Sequence, residues 1–256
     1  MNRIDKLFKE KKESILSVYF TAGYPKSDDT IEVIKSLEKT GVDLLEIGVP
    51  FSDPMADGPV IQASGNEAIR NGMSLKKLFV QLKNVREEAS IPLVLMGYLN
   101  PIVQFGFENY CKRATECGVD GLIIPDLPFS EYMESYKSIA EGHGLHMIML
   151  ITPETSEERI RMIDKNTSGF IYMVSSASVT GAKNTFSETN LSYFRRVNKM
   201  NLKNPRLIGF GISNKETFEA ACIESSGAII GSKFIALLNS EDTIEAAAEK
   251  LIEAIS

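Results

Sequence analysis

At 256 residues, 43% hydrophobic and 24% charged, the chain has an ordinary globular balance and enough length for one sizeable core. A net charge of −6 argues against nucleic acid or an anionic membrane surface as partner. Three cysteines, Cys111, Cys117 and Cys222, make an odd count without metal-ligand spacing, which fits a reduced cytoplasmic protein better than a disulfide scaffold.

The chain opens with MNRIDKLFKEKKESIL. This stretch lacks the apolar run and small-residue cleavage site of a secretory signal. Ile4, Leu7 and Phe8 instead fall on one face of an amphipathic helix. No apolar run approaches the ~20 residues needed to cross a bilayer, so the expectation is a soluble cytoplasmic protein. Eight short apolar runs follow, read as strands at 15–21, 43–49, 92–98, 120–126, 145–150, 169–175, 206–211 and 227–231. They are near-continuously apolar, as in parallel strands covered on both faces. Helical patterns separate them. SDDTIEVIKSLEKTG places Ile31, Ile34 and Leu37 on one side and ends on Gly41, and a second pattern spans 74–88. SEDTIEAAAEKLIEAI closes the chain with Ile244, Ala248, Leu251 and Ile255 in helical register.

An internal repeat supports this reading. KTGVDLLEIG and ECGVDGLIIPD share one order: helix end, Gly, Val-Asp, apolar strand. Alternating strand and helix means a parallel sheet. Eight units in one domain, 1–256, fit a (β/α)8 TIM barrel with an extra N-terminal helix and extended loops after strands 2 and 6. A doubly wound open sheet is the runner-up. Both long loops would lie at the C-terminal face of the barrel, where such folds carry their chemistry.

Glu46 stands inside an otherwise apolar strand. Strand alternation puts Leu44, Glu46 and Gly48 on the barrel interior and Leu45, Ile47 and Val49 toward the helices. An unpaired buried carboxylate costs several kcal/mol, so it must be paired, hydrogen-bonded or protonated. A raised pKa would suit a general acid/base near neutrality, although an acid tied into a polar barrel layer would look the same. Downstream, Asp53 and Asp57 both lie in turn-forming sequence, and spacing does not choose between them. Asp126, in IIPDLP, reads as another top-face acid with a structural role open to it. IGFGIS (208–213) and GAIIGSKF (227–234) end strands 7 and 8 in glycines, the second entering a short helix. This is a frequent phosphate site in barrels. His143 precedes strand 5 and His146 stands at its start, at the opposite end, which argues against a histidine metal site among the active loops. Lys183 and Lys233 lie near the top face but not within strands, which disfavours a Schiff-base aldolase.

The stretch LLEIGVPFSDPMADGPVIQ (44–62) resembles the signature of the tryptophan synthase α chain family. YMVSSASVTGAKN (172–184), IGFGIS and GAIIGS match its other functional segments in order, and the resemblance runs essentially end to end. It implies a (β/α)8 barrel that cleaves indole-3-glycerol phosphate to indole and glyceraldehyde 3-phosphate in L-tryptophan biosynthesis. No metal or cofactor is implied for this chain. The implied partner is a pyridoxal-phosphate-dependent β chain in an αββα heterotetramer. Carried over residue by residue, Glu46 is the acid/base and Asp57 the acceptor of the indole N–H. Thr180 is the lid residue that bonds this aspartate. Gly181, Gly211, Gly231 and Ser232 form the phosphate cradle. Tyr19, Ile61, Met96, Tyr172 and Phe210 wall the pocket, positions that a hydrophobic core would also fill. Pro50, Phe51, Ser52, Asp53 and Pro54 face the β chain, with Asn100 and Pro101. The chain departs from the family pattern at Ser176, Ser178 and Lys183, all in the lid. Alternatives to the lyase are a different phosphate-binding barrel enzyme and an inactive barrel that only activates a β chain.

Overall fold

The computed structural model describes residues 1–175 and 185–256. Eight parallel strands close into a barrel in chain order, β1 (Ile15–Thr21), β2 (Leu44–Gly48), β3 (Leu93–Met96), β4 (Gly121–Ile123), β5 (His146–Ile151), β6 (Ile171–Val174), β7 (Arg206–Gly209) and β8 (Gly227–Ile230). β8 returns to pair with β1 through Ile15↔Gly227 to Val18↔Ile230, so the sheet has no free edge. The open-sheet runner-up is thereby excluded.

Alternation sorts the strand side chains into two apolar layers. Ile15, Leu44, Val94, Ile123, Ile148 and Leu207 pack in the interior. Leu16, Val18, Phe20, Leu45, Ile47, Leu93 and Leu95 join the larger layer under the helices. Leu44 inward and Leu45 and Ile47 outward is the division expected around Glu46. Val49 lies just beyond β2 and packs on the outer layer.

The N-terminal helix α1 (Arg3–Glu10) starts at Asn2, whose side chain accepts the Ile4 N–H. The Asn2 amide also donates to the carbonyls of Asp120 and Gly144, fixing the helix under the barrel. Ile4 and Phe8, one turn apart, are buried among the interior residues, and the Phe8 and Phe170 rings lie 6.0 Å apart. α1 therefore stoppers the N-terminal end of the barrel. Asp120, buried beside it, accepts from Arg3 at 3.0 Å, Arg86 at 2.9 Å and the Leu93 N–H at 2.9 Å.

The helix α2 (Thr30–Lys39) follows β1 as the sequence suggests. The segment after the β2 loop forms α3 (Pro59–Arg70), with proline in its first turn, where a missing N–H costs nothing. The pattern at 74–88 is a pair of helices, Leu75–Leu82 and Val85–Glu88, not one. Asn84 leaves the helical region at ψ 17, and Arg86 can then donate to the carbonyls of Gly118, Ala89 and Ile91 as well as to Asp120. Bonds from this guanidinium outweigh helix continuity. Among the described residues no helix is long and apolar enough to cross a membrane.

Candidate active site

At the C-terminal end of the barrel, β1 and β2 place Tyr19 beside Glu46 in register. Glu46 is fully buried, at 0% exposure. Its Oε1 accepts the Ser17 hydroxyl at 3.0 Å. Its Oε2 is buried and has no partner among the described residues. Asp120 is nearly as buried, yet both of its oxygens are satisfied, so burial alone is not what sets Glu46 apart. Loss of hydration drives the Glu46 carboxyl up to about 8, with the Ser17 hydrogen bond acting weakly against it.

Asp57 ends the β2 loop, just before α3, and is 8% exposed. Its Oδ2 accepts the Tyr98 hydroxyl at 3.0 Å, and the same hydroxyl accepts the Ala56 N–H at 3.0 Å. Tyr98 thus ties the loop backbone and the carboxylate to the end of β3. Burial lifts Asp57 to about 6, and the Tyr98 bond holds it from rising further. Asp53 is exposed, so the geometry separates two aspartates that spacing could not. Asp126 accepts the Leu99 N–H at 2.8 Å at the start of the helix Leu99–Phe105, a capping role.

The phenols of Tyr19 and Tyr172 are raised above their usual range, chiefly by burial and then by the charges of Glu46 and Asp57. Two strand glycines make room for these rings. A methyl group on Gly48 would lie 2.1 Å from the Tyr19 hydroxyl, and one on Gly209 would lie 2.3 Å from that of Tyr172. Met96 pairs with Gly48 and is half-buried against the interior layer. Phe210 packs edge-on against Tyr172 with ring centroids 6.3 Å apart. Its backbone sits at φ 68, left-handed for a bulky residue, and its carbonyl accepts the Ser175 hydroxyl at 2.7 Å. Ile61, on α3, approaches Gly231 beside Tyr19.

The glycine turns lie on the same rim. Gly211, at φ 78, follows β7. Gly231 precedes the helix Ser232–Ser240, which has no side-chain cap. The first N–H groups of a helix lack intrahelical partners and present a positive dipole end to an anion. Thr180 and Gly181 lie outside the described residues, as do Ser176, Ser178 and Lys183. Pro50, Phe51, Ser52, Asp53 and Pro54 form a partly exposed loop on the rim, and Asn100 and Pro101 begin the neighbouring helix. Phe51 leans on Tyr98 with ring centroids 5.2 Å apart.

Sequence reasoning missed Ser17 and Tyr98. Ser17 had a signal: a hydroxyl two residues before Tyr19, on the same inward face of an apolar strand. Tyr98 had only its place at the end of strand 3.

The tryptophan synthase alpha chain family model matches residues 6–256. The tryptophan synthase alpha chain of Parabacteroides distasonis is 63% identical over 100% of this chain and 99% of its own. That of Bacteroides thetaiotaomicron is 61% identical over 100% of both chains. The crystal structure of tryptophan synthase subunit alpha from Legionella pneumophila superposes with a TM-score of 0.86 at 33% identity, covering 100% of this chain and 98% of the other. The chain belongs to the tryptophan synthase alpha chain family.

Proposed function

We propose that Glu46 and Asp57 carry the reaction of this family, the retro-aldol cleavage of indole-3-glycerol phosphate to indole and glyceraldehyde 3-phosphate. The chain is a carbon–carbon lyase of tryptophan biosynthesis. The observation that carries the residue roles is the pair of buried carboxyls held at different levels, about 8 and about 6, around one barrel mouth. Near pH 7 Glu46 is mostly protonated and Asp57 mostly ionised, which is the division of labour the chemistry needs.

Indole carbon leaves poorly as an anion. Glu46 donates its proton to ring C3, giving an indolenine-like cation whose positive charge spreads to nitrogen. The Asp57 carboxylate accepts the ring N–H and stabilises that charge. Glu46, now ionised, takes the proton of the adjacent glycerol hydroxyl. The C–C bond breaks, its electrons return to the ring, and the hydroxyl carbon becomes the aldehyde. Gly211, Gly231 and Ser232 hold the phosphate through backbone N–H groups and the free helix end, with Gly181 the fourth cradle residue and Thr180 the lid residue that bonds Asp57. Tyr19, Ile61, Met96, Tyr172 and Phe210 wall the indole. None of these steps calls for a metal or cofactor.

The partner in this reading is the pyridoxal-phosphate-dependent β chain, in an αββα complex in the cytoplasm. The partly exposed loop Pro50–Pro54 with Asn100 and Pro101 supports it as the contact face. The test is indole release from indole-3-glycerol phosphate, with and without a β chain. Glu46→Gln and Asp57→Asn should each lower kcat by about a thousandfold or more, with far-UV circular dichroism unchanged. Near-normal turnover by Glu46→Gln would overturn the mechanism, and no turnover by the unmodified chain in either condition would leave it an activator only.

A further inference from the structure

The other end of the barrel carries a cavity of about 630 Å³ between α1 and the segments that lead into β5 to β8. Four of its thirteen lining residues are Lys9, Lys12, Lys203 and Arg206. That is about threefold the chain's own proportion of 28 cations in 256 residues, in a protein of net charge −6. None of the four makes an ion pair among the described residues. The cavity has one lining acid, Asp5, and it is engaged by His146 Nε2 at 2.8 Å.

Arg206 makes this more than a solvated surface patch. It starts β7 and is half-buried, and one Nη donates to the Asn198 amide oxygen at 2.9 Å. Its Nε is buried without a partner among the described residues. Burial pulls the guanidinium below its usual range, and among the described residues the charge that opposes this is that of Asp164. A partly desolvated cation without a carboxylate partner is a standing cost that a bound anion would offset. The cavity's size is within the usual range for small-molecule sites, and cations clustered around one recess raise the local concentration of anions.

We propose that this cavity binds a small polyanion, a phosphate ester or a polycarboxylate, at the end of the barrel opposite Glu46 and Asp57. Arg206 forms the inner contact, and the exposed Lys203, with Lys9 and Lys12 on α1, the outer ones. Because α1 is the stopper of the barrel, such a ligand would also brace that helix against the β7 end.

The full chain, labelled for amide NMR, is titrated with sodium pyrophosphate and separately with citrate, at a fixed ionic strength of about 0.15 M. Saturable shifts at Ser168, Gly169, Lys203 and Asn204 are expected. Response to both anions assigns recognition to charge, and response to pyrophosphate alone assigns it to phosphate geometry; either supports the site. Shifts confined to Gly211, Gly231 and Ser232 would place all anion binding at the active-site rim and overturn the proposal, as would no shift with either anion. Arg206→Gln tests the inner contact. Because it could disturb β7, the exposed triple variant Lys9→Gln, Lys12→Gln, Lys203→Gln accompanies it. The triple variant should weaken binding at least tenfold while indole release stays normal, and an unchanged affinity would sink the idea.

Discussion

Glu46 shows how one side chain can couple stability to chemistry. Its carboxyl releases a proton near 4.5 in the unfolded chain but near 8 in the folded one. Between those values the folded state binds the extra proton, so stability falls as pH rises, by up to about 5 kcal/mol across the window. Glu46→Gln removes the term. Denaturant melts at pH 5 and pH 9 should show the parent losing stability relative to the variant, and parallel losses would contradict the assignment. The same pair predicts a bell-shaped kcat/KM, rising through about 6 as Asp57 ionises and falling above about 8 as Glu46 does. Tyr98→Phe removes the hydrogen bond that lowers Asp57, so only the acid limb should move up, with about 1 kcal/mol lost in stability. Ser17→Ala should move only the alkaline limb, also upward. A profile in which both limbs move together in either variant would refute separate control of the two carboxyls. Glu46 was legible because a charge inside an apolar strand is conspicuous. Asp57 was not separable from Asp53, because both occupy turn sequence. What distinguishes them is a phenol 41 positions away in the chain, brought over by the fold.

At the level of elements, apolar runs bounded by glycine located all eight strands, and Ile15–Thr21 and its predicted span coincide. β5 slid by one residue, to His146–Ile151, and the others are shorter than expected by one to four residues, where loop geometry takes over from pairing. The split helix near Asn84 was illegible because its cause, the reach of Arg86 to Asp120, crosses to another unit of the barrel. The N-terminal helix was legible as amphipathic, but its destination was not: Ile4 and Phe8 look like any surface helix's apolar face until the open end of a barrel is there to receive them. Ile4→Ala should cost about 2–5 kcal/mol, measured by urea unfolding. A cost under about 1 kcal/mol would mean the helix is an ornament rather than part of the interior packing.

For the whole molecule, the closed order of strands puts the two acids, the aromatic walls and both glycine turns on one rim, although they span positions 19 to 232. The same rim exposes Met55 at 92% beside the loop Pro50–Pro54. On the proposed contact face, Met55→Asp should weaken binding of a β chain by tenfold or more, read by titration calorimetry, without altering the melting of the isolated chain. An undiminished affinity would place the partner on another face. The stopper at the far end then has a consequence for traffic. With Ile4 and Phe8 packed into its base, the barrel is closed at that end among the described residues, so substrate, aldehyde and indole must pass by the rim that carries Glu46 and Asp57. Among the described residues, the packed base leaves a newly freed indole no back exit. It meets whatever stands over that rim first, so handing it to a neighbour requires only that the neighbour be seated there.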